Sequence, residues 1–173
     1  MITIHPTAIV ESKSIGEGTK IWHHAHVRDG AKIGSNCIIG KNVYIDPDVV
    51  VGSNVKIQNN VCVYNAELED DTQLGPGVIV TNDPYPRAFV WNDNRKGGRT
   101  YIKKGASVGA NSTLIPGITI GEYAMIGASS VVTKDVPSHA LVYGNPAKIM
   151  GYVCKCGKKM EKTEAMLCDD CNK

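Results

Sequence analysis

An apolar residue returns at every sixth position along most of this chain, at Ile9, Ile15, Ile21, Val27, Ile33, Ile39, Ile45, Val51, Ile57 and Val63. One residue is then missing, and the beat resumes at Leu68, Leu74 and Val80, breaks, and returns at Ile102, Val108, Leu114, Ile120, Ile126 and Val132. No position in this register is polar, and eight of these residues precede a glycine: Gly16, Gly34, Gly40, Gly52, Gly75, Gly109, Gly121 and Gly127. A period of six fits neither an amphipathic helix nor an alternating strand of ordinary length. It fits short strands joined by tight turns, three to a coil. The aliphatic side chain points inward, a small residue completes the corner, and glycine or Asn takes positive φ. Stacked coils then pair as parallel strands about 4.8 Å apart. The nineteen hexads predict about six coils and a rod of roughly 30 Å, a hexapeptide β-helix.

Composition supports an aliphatic, often-turning chain: aromatics are 6%, with a single Phe, while glycine reaches 18 of 173 residues. Nineteen basic against seventeen acidic residues leave a charge of +2, so neither a nucleic-acid partner nor an anionic membrane surface is expected. No stretch approaches about 18 uninterrupted apolar residues, and Met1 to Glu11 lack a basic run followed by an apolar one. A cytoplasmic protein is expected.

The beat fails over 81–101 (TNDPYPRAFVWNDNRKGGRTY), which holds two prolines, the Phe, one of two Trp and three Arg. A loop of this length must leave the prism, and such loops in compact folds commonly carry function. Asn65 and Asn82 each lie two residues after an inward residue, Val63 and Val80, which predicts a polar ladder one coil high at the loop's root. Asn also serves as an ordinary turn residue.

The hexads, the loop opening TNDPYPRA, the following KKGASVGANSTLIPGITIGEYAMIGASSVVTKDVP and the closing ALVYGNPAKIMGY resemble the left-handed β-helix acyltransferases that N-acetylate nucleotide-linked amino sugars. Within that family the likeness is strongest to the 3-amino-sugar group, which includes UDP-2-acetamido-3-amino-2,3-dideoxyglucuronate N-acetyltransferase and the dTDP-3-amino-3,6-dideoxyhexose N-acetyltransferases. The resemblance implies an all-β, single-stranded left-handed parallel β-helix over residues 1–150 with an extruded loop at 81–101. It also implies a homotrimer that holds acetyl-CoA and a nucleotide sugar in the grooves between neighbours, with the loop of one prism over a neighbour's groove.

Acetyl transfer to a sugar amine needs an uncharged nitrogen, a nearby thioester and donors for the developing oxyanion. Asn82 matches the family's loop-start Asn, whose side-chain oxygen can accept a hydrogen bond from the amine. Asp83 and Arg87 of the loop are candidates for substrate binding, Arg87 for a carboxylate or phosphate, because a guanidinium binds either bidentately. Arg87 tilts the expected substrate toward the uronate. Gly105 and Ala106 offer backbone amides to the thioester or pantetheine. His24 and His26, in the cluster His23, His24 and His26, are candidate bases, yet lie about three coils, roughly 14 Å, before Asn82. The loop itself has no histidine, and the family resemblance allows the departing thiolate to take the amine's proton. Arg28, Asp29, Tyr64 and Asn65 share a side of the prism by column counting and are candidates for holding the nucleotide. Lys134 and Lys148, near the carboxyl end of the rod, are candidates for the phosphates of CoA. A γ-type carbonic anhydrase would need three converging histidines, and after Val27 only His139 remains. A non-catalytic scaffold or partner-binding rod stays open as the alternative to an enzyme.

Cysteines divide into two kinds. Cys37 and Cys62 fall within the aliphatic part and read as small buried residues. Cys154, Cys156, Cys168 and Cys171 crowd residues 151–173 in two close pairs, as in a tetrahedral Cys₄ zinc ribbon. Two disulfides are the competing arrangement, disfavoured in a reducing compartment. Lys155, Lys158, Lys159 and Lys162 would offset thiolate charge. A zinc ion there is expected to be structural, since four thiolates leave no open position.

Overall fold

The computed structural model describes residues 1–90, 97–160 and 167–171. Strands of two or three residues follow one another around a three-sided column, and each pairs in parallel with the strand one coil further on. Face I stacks the strands that carry Ile4, Ile21, Ile39, Ile57, Leu74, Val108, Ile126 and Val142. Face II stacks Val10, Val27, Ile45, Val63, Val80, Leu114 and Val132. Face III stacks Ile15, Ile33, Val51, Leu68, Ile102 and Ile120, and a bridge from Ile120 adds Val136. No described residue is helical. The inward residues from Ile21 to Ile126 form one continuous aliphatic core, most of them wholly buried. At about 25 cal/mol per Å², this burial is the principal favourable term.

Two details of the expected register change. The first coil turns inward at Val10, which pairs with Val27, while Ile9 is exposed outward. Both residues are apolar, so spacing alone could not choose between them. The column has seven coils, because Ile4 opens face I and Val136 and Val142 continue beyond the last expected hexad.

The corners divide labour between two kinds of residue. Positive φ belongs to the third corner position, taken by Asn36, Asn54 and Asn111 and by Gly18 and Gly105. The glycines that follow inward residues are required for a different reason. A Cβ on Gly16 would lie 2.4 Å from the backbone of Gly34 in the next coil, so close stacking of coils excludes any side chain there. Cys37 is buried as expected, whereas Cys62 stands at an outward position of face II and is half-buried.

Past the last coil, Ala140–Gly144 continues face I and the chain turns back as the antiparallel strand Ala147–Val153. This hairpin lies over the column's end, where a bare coil would expose unpaired backbone and apolar interior. The short strand Lys159–Met160 then pairs with Tyr152 and Val153.

Candidate active-site edge and cysteine cluster

Counting along the inward residues shows where the coil is irregular. Every step from face I to face II is six residues (Ile4 to Val10, Ile21 to Val27, and so on to Ile126 and Val132), as is every step from face III to face I. All departures fall between faces II and III. Val10 to Ile15 and Val63 to Leu68 take five, Val132 to Val136 takes four, and Val80 to Ile102 contains the long loop. One edge of the column therefore carries all the structural variation, and it carries most of the candidate residues.

Near the base of this edge Glu11 organises a polar network. His26 Nε2 lies 2.9 Å from Glu11 Oε1, and Arg28 Nε and the Asp29 amide donate to Glu11 Oε2 at 3.2 and 3.1 Å. The His26 ring, the Asp29 amide and Arg28 hold the Glu11 carboxyl down at about 2, against a smaller opposing effect of burial. Arg28 Nη1 donates to the Tyr44 hydroxyl at 3.2 Å, and that hydroxyl donates to Asp46 at 3.0 Å. The Tyr44 ring stands edge-on to His26 at 5.6 Å and against Tyr64 at 5.3 Å. A ladder of aromatic and charged groups thus climbs from coil two to coil four.

The loop root sits above it. Gly97 N donates to Asn82 O at 2.9 Å, Asn65 Nδ2 donates to Gly97 O at 3.2 Å, and Thr100 N donates to Asn65 O at 3.1 Å. Asn65 and Asn82, one coil apart, are thus both joined to Gly97 on the returning limb, Asn65 by its side chain and Asn82 by its main chain. The Asn82 main chain closes the root while its side chain is half-buried. Arg99 on the returning limb donates to Glu67 and to the Asp48 carbonyl. Within the loop Asp83 accepts the Tyr85 amide at 2.7 Å, and Arg87 Nη1 donates to the Pro86 carbonyl at 2.8 Å. Both are exposed, and Phe89 is 82% exposed. Trp91 and Arg95 of the loop, and Lys162 of the tail, lie outside the described residues.

At the carboxyl end, Lys134 and Lys148 line one cavity of about 340 Å³ together with Val132, Asp135, Val136, Val142, Ala147 and Ile149. A larger cavity of about 530 Å³ adjoins it on the face III side, lined by Glu69, Lys103, Glu122, Asp135 and Ser138 among others. Its lysine is engaged with Glu69 at 2.8 Å, so its free charge is acidic and ill-suited to phosphates.

Not every candidate is brought to this edge. His26 flanks it but lies in coil two, three rungs below Asn82, so the two do not meet. His24 occupies a corner between faces I and II with φ of 55°, near a stack of His5 on His23 at 3.5 Å. Gly105 and Ala106 lie at the corner between faces III and I, and within one chain they are on a different edge from Asn82. Glu11, Tyr44 and Arg99 are contributors that spacing did not single out. The five-residue first step hides the pairing of Glu11 with Arg28.

The four terminal cysteines converge as their spacing expects. Their sulfurs all lie within 4.8 Å of one another, Cys156 and Cys168 at 3.5 Å, and none is in a disulfide. A tetrahedron with metal–sulfur bonds of about 2.3 Å has edges near 3.8 Å, so this set fits a single metal ion. Burial opposes ionisation of Cys154, but the Cys156 and Cys168 amides aimed at its sulfur bring it down to about 6. The Cys156 and Cys154 thiols push Cys171 up to about 12. The cluster accepts one negative charge readily and resists another, a conflict that a bound cation removes.

Comparison with known proteins agrees with this architecture. The family described as bacterial transferase hexapeptide (six repeats) matches residues 12–46, 36–65 and 99–134. The chain is 48% identical to a dTDP-3-amino-3,6-dideoxy-α-D-galactopyranose 3-N-acetyltransferase of Aneurinibacillus thermoaerophilus, over 98% of this chain and 88% of that one. It is 33% identical over 78% of its length to the bifunctional protein GlmU of Shouchella clausii, of which it covers 28%. Among solved structures, AntD, an N-acyltransferase from Bacillus cereus in complex with dTDP and 3-hydroxybutyryl-CoA, superposes with a TM-score of 0.59 at 22% identity, covering 87% of this chain and 79% of that one. A maltose O-acetyltransferase from Clostridium difficile gives 0.60 at 24%, covering 86% and 70%. At these identities the structural likeness concerns the fold. With its repeat, its coils and its close relative in agreement, the chain belongs to the bacterial hexapeptide-repeat transferases.

Proposed function

We propose that this protein transfers the acetyl group of acetyl-CoA to the 3-amino group of a dTDP-linked 3-amino-3,6-dideoxyhexose, at the edge between faces II and III. The observation that carries the reading is the similarity, along nearly the whole chain, to a 3-N-acetyltransferase of such a sugar nucleotide. The edge geometry agrees with it. Arg87 is exposed and donates from Nη1 to the carbonyl of Pro86, which favours neither sugar. The 6-deoxyhexose is preferred to the uronate because the relative similar along nearly the whole chain acts on such a sugar.

In this reading the Asn82 side-chain oxygen accepts a hydrogen bond from the neutral sugar amine and aims its lone pair at the thioester carbon. The nitrogen–carbon bond forms as the carbon–sulfur bond breaks, and the ammonium proton leaves with the CoA sulfur. Positioning of this kind supplies much of the barrier reduction in acyl transfer. Tyr64 and Tyr44 offer rings on which a base can stack, with Arg28 and the Asp29 region near the phosphates. Lys134 and Lys148 receive the phosphates of CoA. A homotrimer lets the exposed Tyr85 and Phe89 of one loop cover a neighbour's groove, and brings a neighbour's Gly105–Ala106 corner toward Asn82. No described helix is long and apolar enough to cross a membrane, and we place the reaction in the cytoplasm, where both substrates are made. The cysteine cluster is read as a structural zinc site.

Incubating the protein with acetyl-CoA and dTDP-3-amino-3,6-dideoxygalactose tests the reading. Thiol release dependent on the amine is expected, and faster than with the UDP-linked 3-amino-uronate. Release with neither sugar would overturn the enzymatic reading in favour of a scaffold.

A further inference from the structure

The tail that carries the cysteine cluster is continuous with a wall of the Lys134–Lys148 cavity. Ala147, Lys148 and Ile149 line that cavity, and five residues after Ile149 in the same chain direction comes Cys154. The strand between them is paired along its length on one side, to Ala140–Gly144, with a register shift between Leu141 and Val142. On its other side, among the described residues, Tyr152 and Val153 pair with the two-residue strand Lys159–Met160. Ile149 and Met150 are about half exposed, so little apolar burial fixes the strand's middle.

Its far end is the firm point. Val153 N donates to His139 O at 2.8 Å, and His139 Nδ1 lies 2.9 Å from Val153 O. Val153 and Cys154 are each 1% exposed. Beyond them the Gly157 turn comes against Met125 of face I, where an added Cβ would lie 3.1 Å from the Met125 methyl. Nothing apolar among the described residues joins 168–171 to the rest. They are tied to the 154–158 turn by the Cys168 amide on the Cys154 sulfur, by the cysteine sulfurs, and by the ion pair of Lys158 with Asp170.

We infer that Zn²⁺ held by Cys154, Cys156, Cys168 and Cys171 clamps the end of the Ala147–Val153 strand, and that the metal thereby sets the wall of the cavity that receives the acetyl donor. The inference rests on the zinc and acetyl-donor readings given above. The ion does no chemistry. It displaces the thiol protons and joins the 154–158 turn to residues 168–171 by four metal–sulfur bonds, so the anchor that Val153 and Cys154 give the strand is held by the whole tail and opens less readily. Lys148 then meets Lys134 across the cavity without a further ordering cost when the phosphates bind.

The test uses the full chain, reduced, either with zinc retained or stripped by a chelator and then reloaded. Metal content, amide hydrogen exchange of peptides spanning 147–153, and CoA affinity by calorimetry are read on each form. The expected result is one zinc per chain, exchange at 147–153 at least tenfold faster after stripping, CoA binding at least fivefold weaker, and recovery of both on reloading, with the inner strands around Ile39 and Ile57 unchanged. The double variant Cys168→Ser, Cys171→Ser should behave as the stripped protein while keeping its coil signal in circular dichroism. Zinc uptake with no change at 147–153 would overturn the clamp and leave the zinc reading intact. Failure to retain any metal, or loss of protection throughout the column, would overturn the clamp as well. Metal-dependent protection in a protein that binds no CoA would leave the clamp standing and remove the acetyl-donor assignment of the cavity.

Discussion

Thr72 shows how closely the corners account for their polar atoms. The other buried hydroxyls at corner positions are each bonded across or within coils, as in Thr19 Oγ1 donating to Gly34 O at 2.8 Å and Ser112 Oγ to Gly127 O at 3.0 Å. Thr72 Oγ1 is the exception among the described residues, buried without a partner, and one coil below it the same corner position holds Val55. Thr72→Val should therefore raise stability by about 1 kcal/mol, read from the denaturant midpoint; a loss of similar size would mean the hydroxyl is bonded in solution. Asn82 raises a functional question at the same scale. Its main chain closes the loop, and its side chain makes no hydrogen bond among the described residues. Asn82→Ala should leave the melting temperature and CoA affinity nearly unchanged while lowering kcat by on the order of a hundredfold. An unaltered kcat would remove Asn82 from the reacting groups.

At the scale of elements, the short strands were legible because each inward residue must be aliphatic and each is separated from the next by a turn of fixed length. The missing residue between Val63 and Leu68 was equally legible, since no polar residue could take the inward place. The first coil was not, because Ile9 and Val10 satisfy the pattern equally and only pairing with His26 and Val27 decides. The Glu11 network stayed hidden for the same reason: its partners are brought together by that shortened step, which shifts the column by one residue. The cysteine cluster was readable from spacing because four sulfurs within so short a tail have few other ways to be satisfied. The loop's anchoring was not readable, as it depends on a close approach. A Cβ on Gly97 would stand 2.2 Å from the Pro116 Cβ and 3.2 Å from Asn82 O. Gly97→Ala should displace the returning limb and with it the loop root, lowering kcat/KM by on the order of tenfold or more with the column's unfolding transition little altered. Normal activity in that variant would separate the loop root from catalysis.

The whole molecule divides its edges by task. Two edges keep a strict six-residue step, and the third absorbs every shortened step and the long loop. A regular solenoid offers flat faces and no enclosed space, so a site has to be made by irregularity at an edge, by the closing hairpin and by neighbouring copies. Asn82 lies in coil five and Lys134 in coil seven of the same edge, about 10 Å apart along the axis at one strand spacing per coil, which sets acceptor and donor along one groove. A crystal structure of the protein with CoA and dTDP-3-amino-3,6-dideoxygalactose measures this arrangement directly. Three parallel copies are predicted, with the sugar nitrogen within hydrogen-bond distance of Asn82 Oδ1 and the CoA phosphates beside Lys134 and Lys148. A sugar seated in the Glu69–Lys103 cavity, or anywhere out of reach of Asn82, would contradict the account.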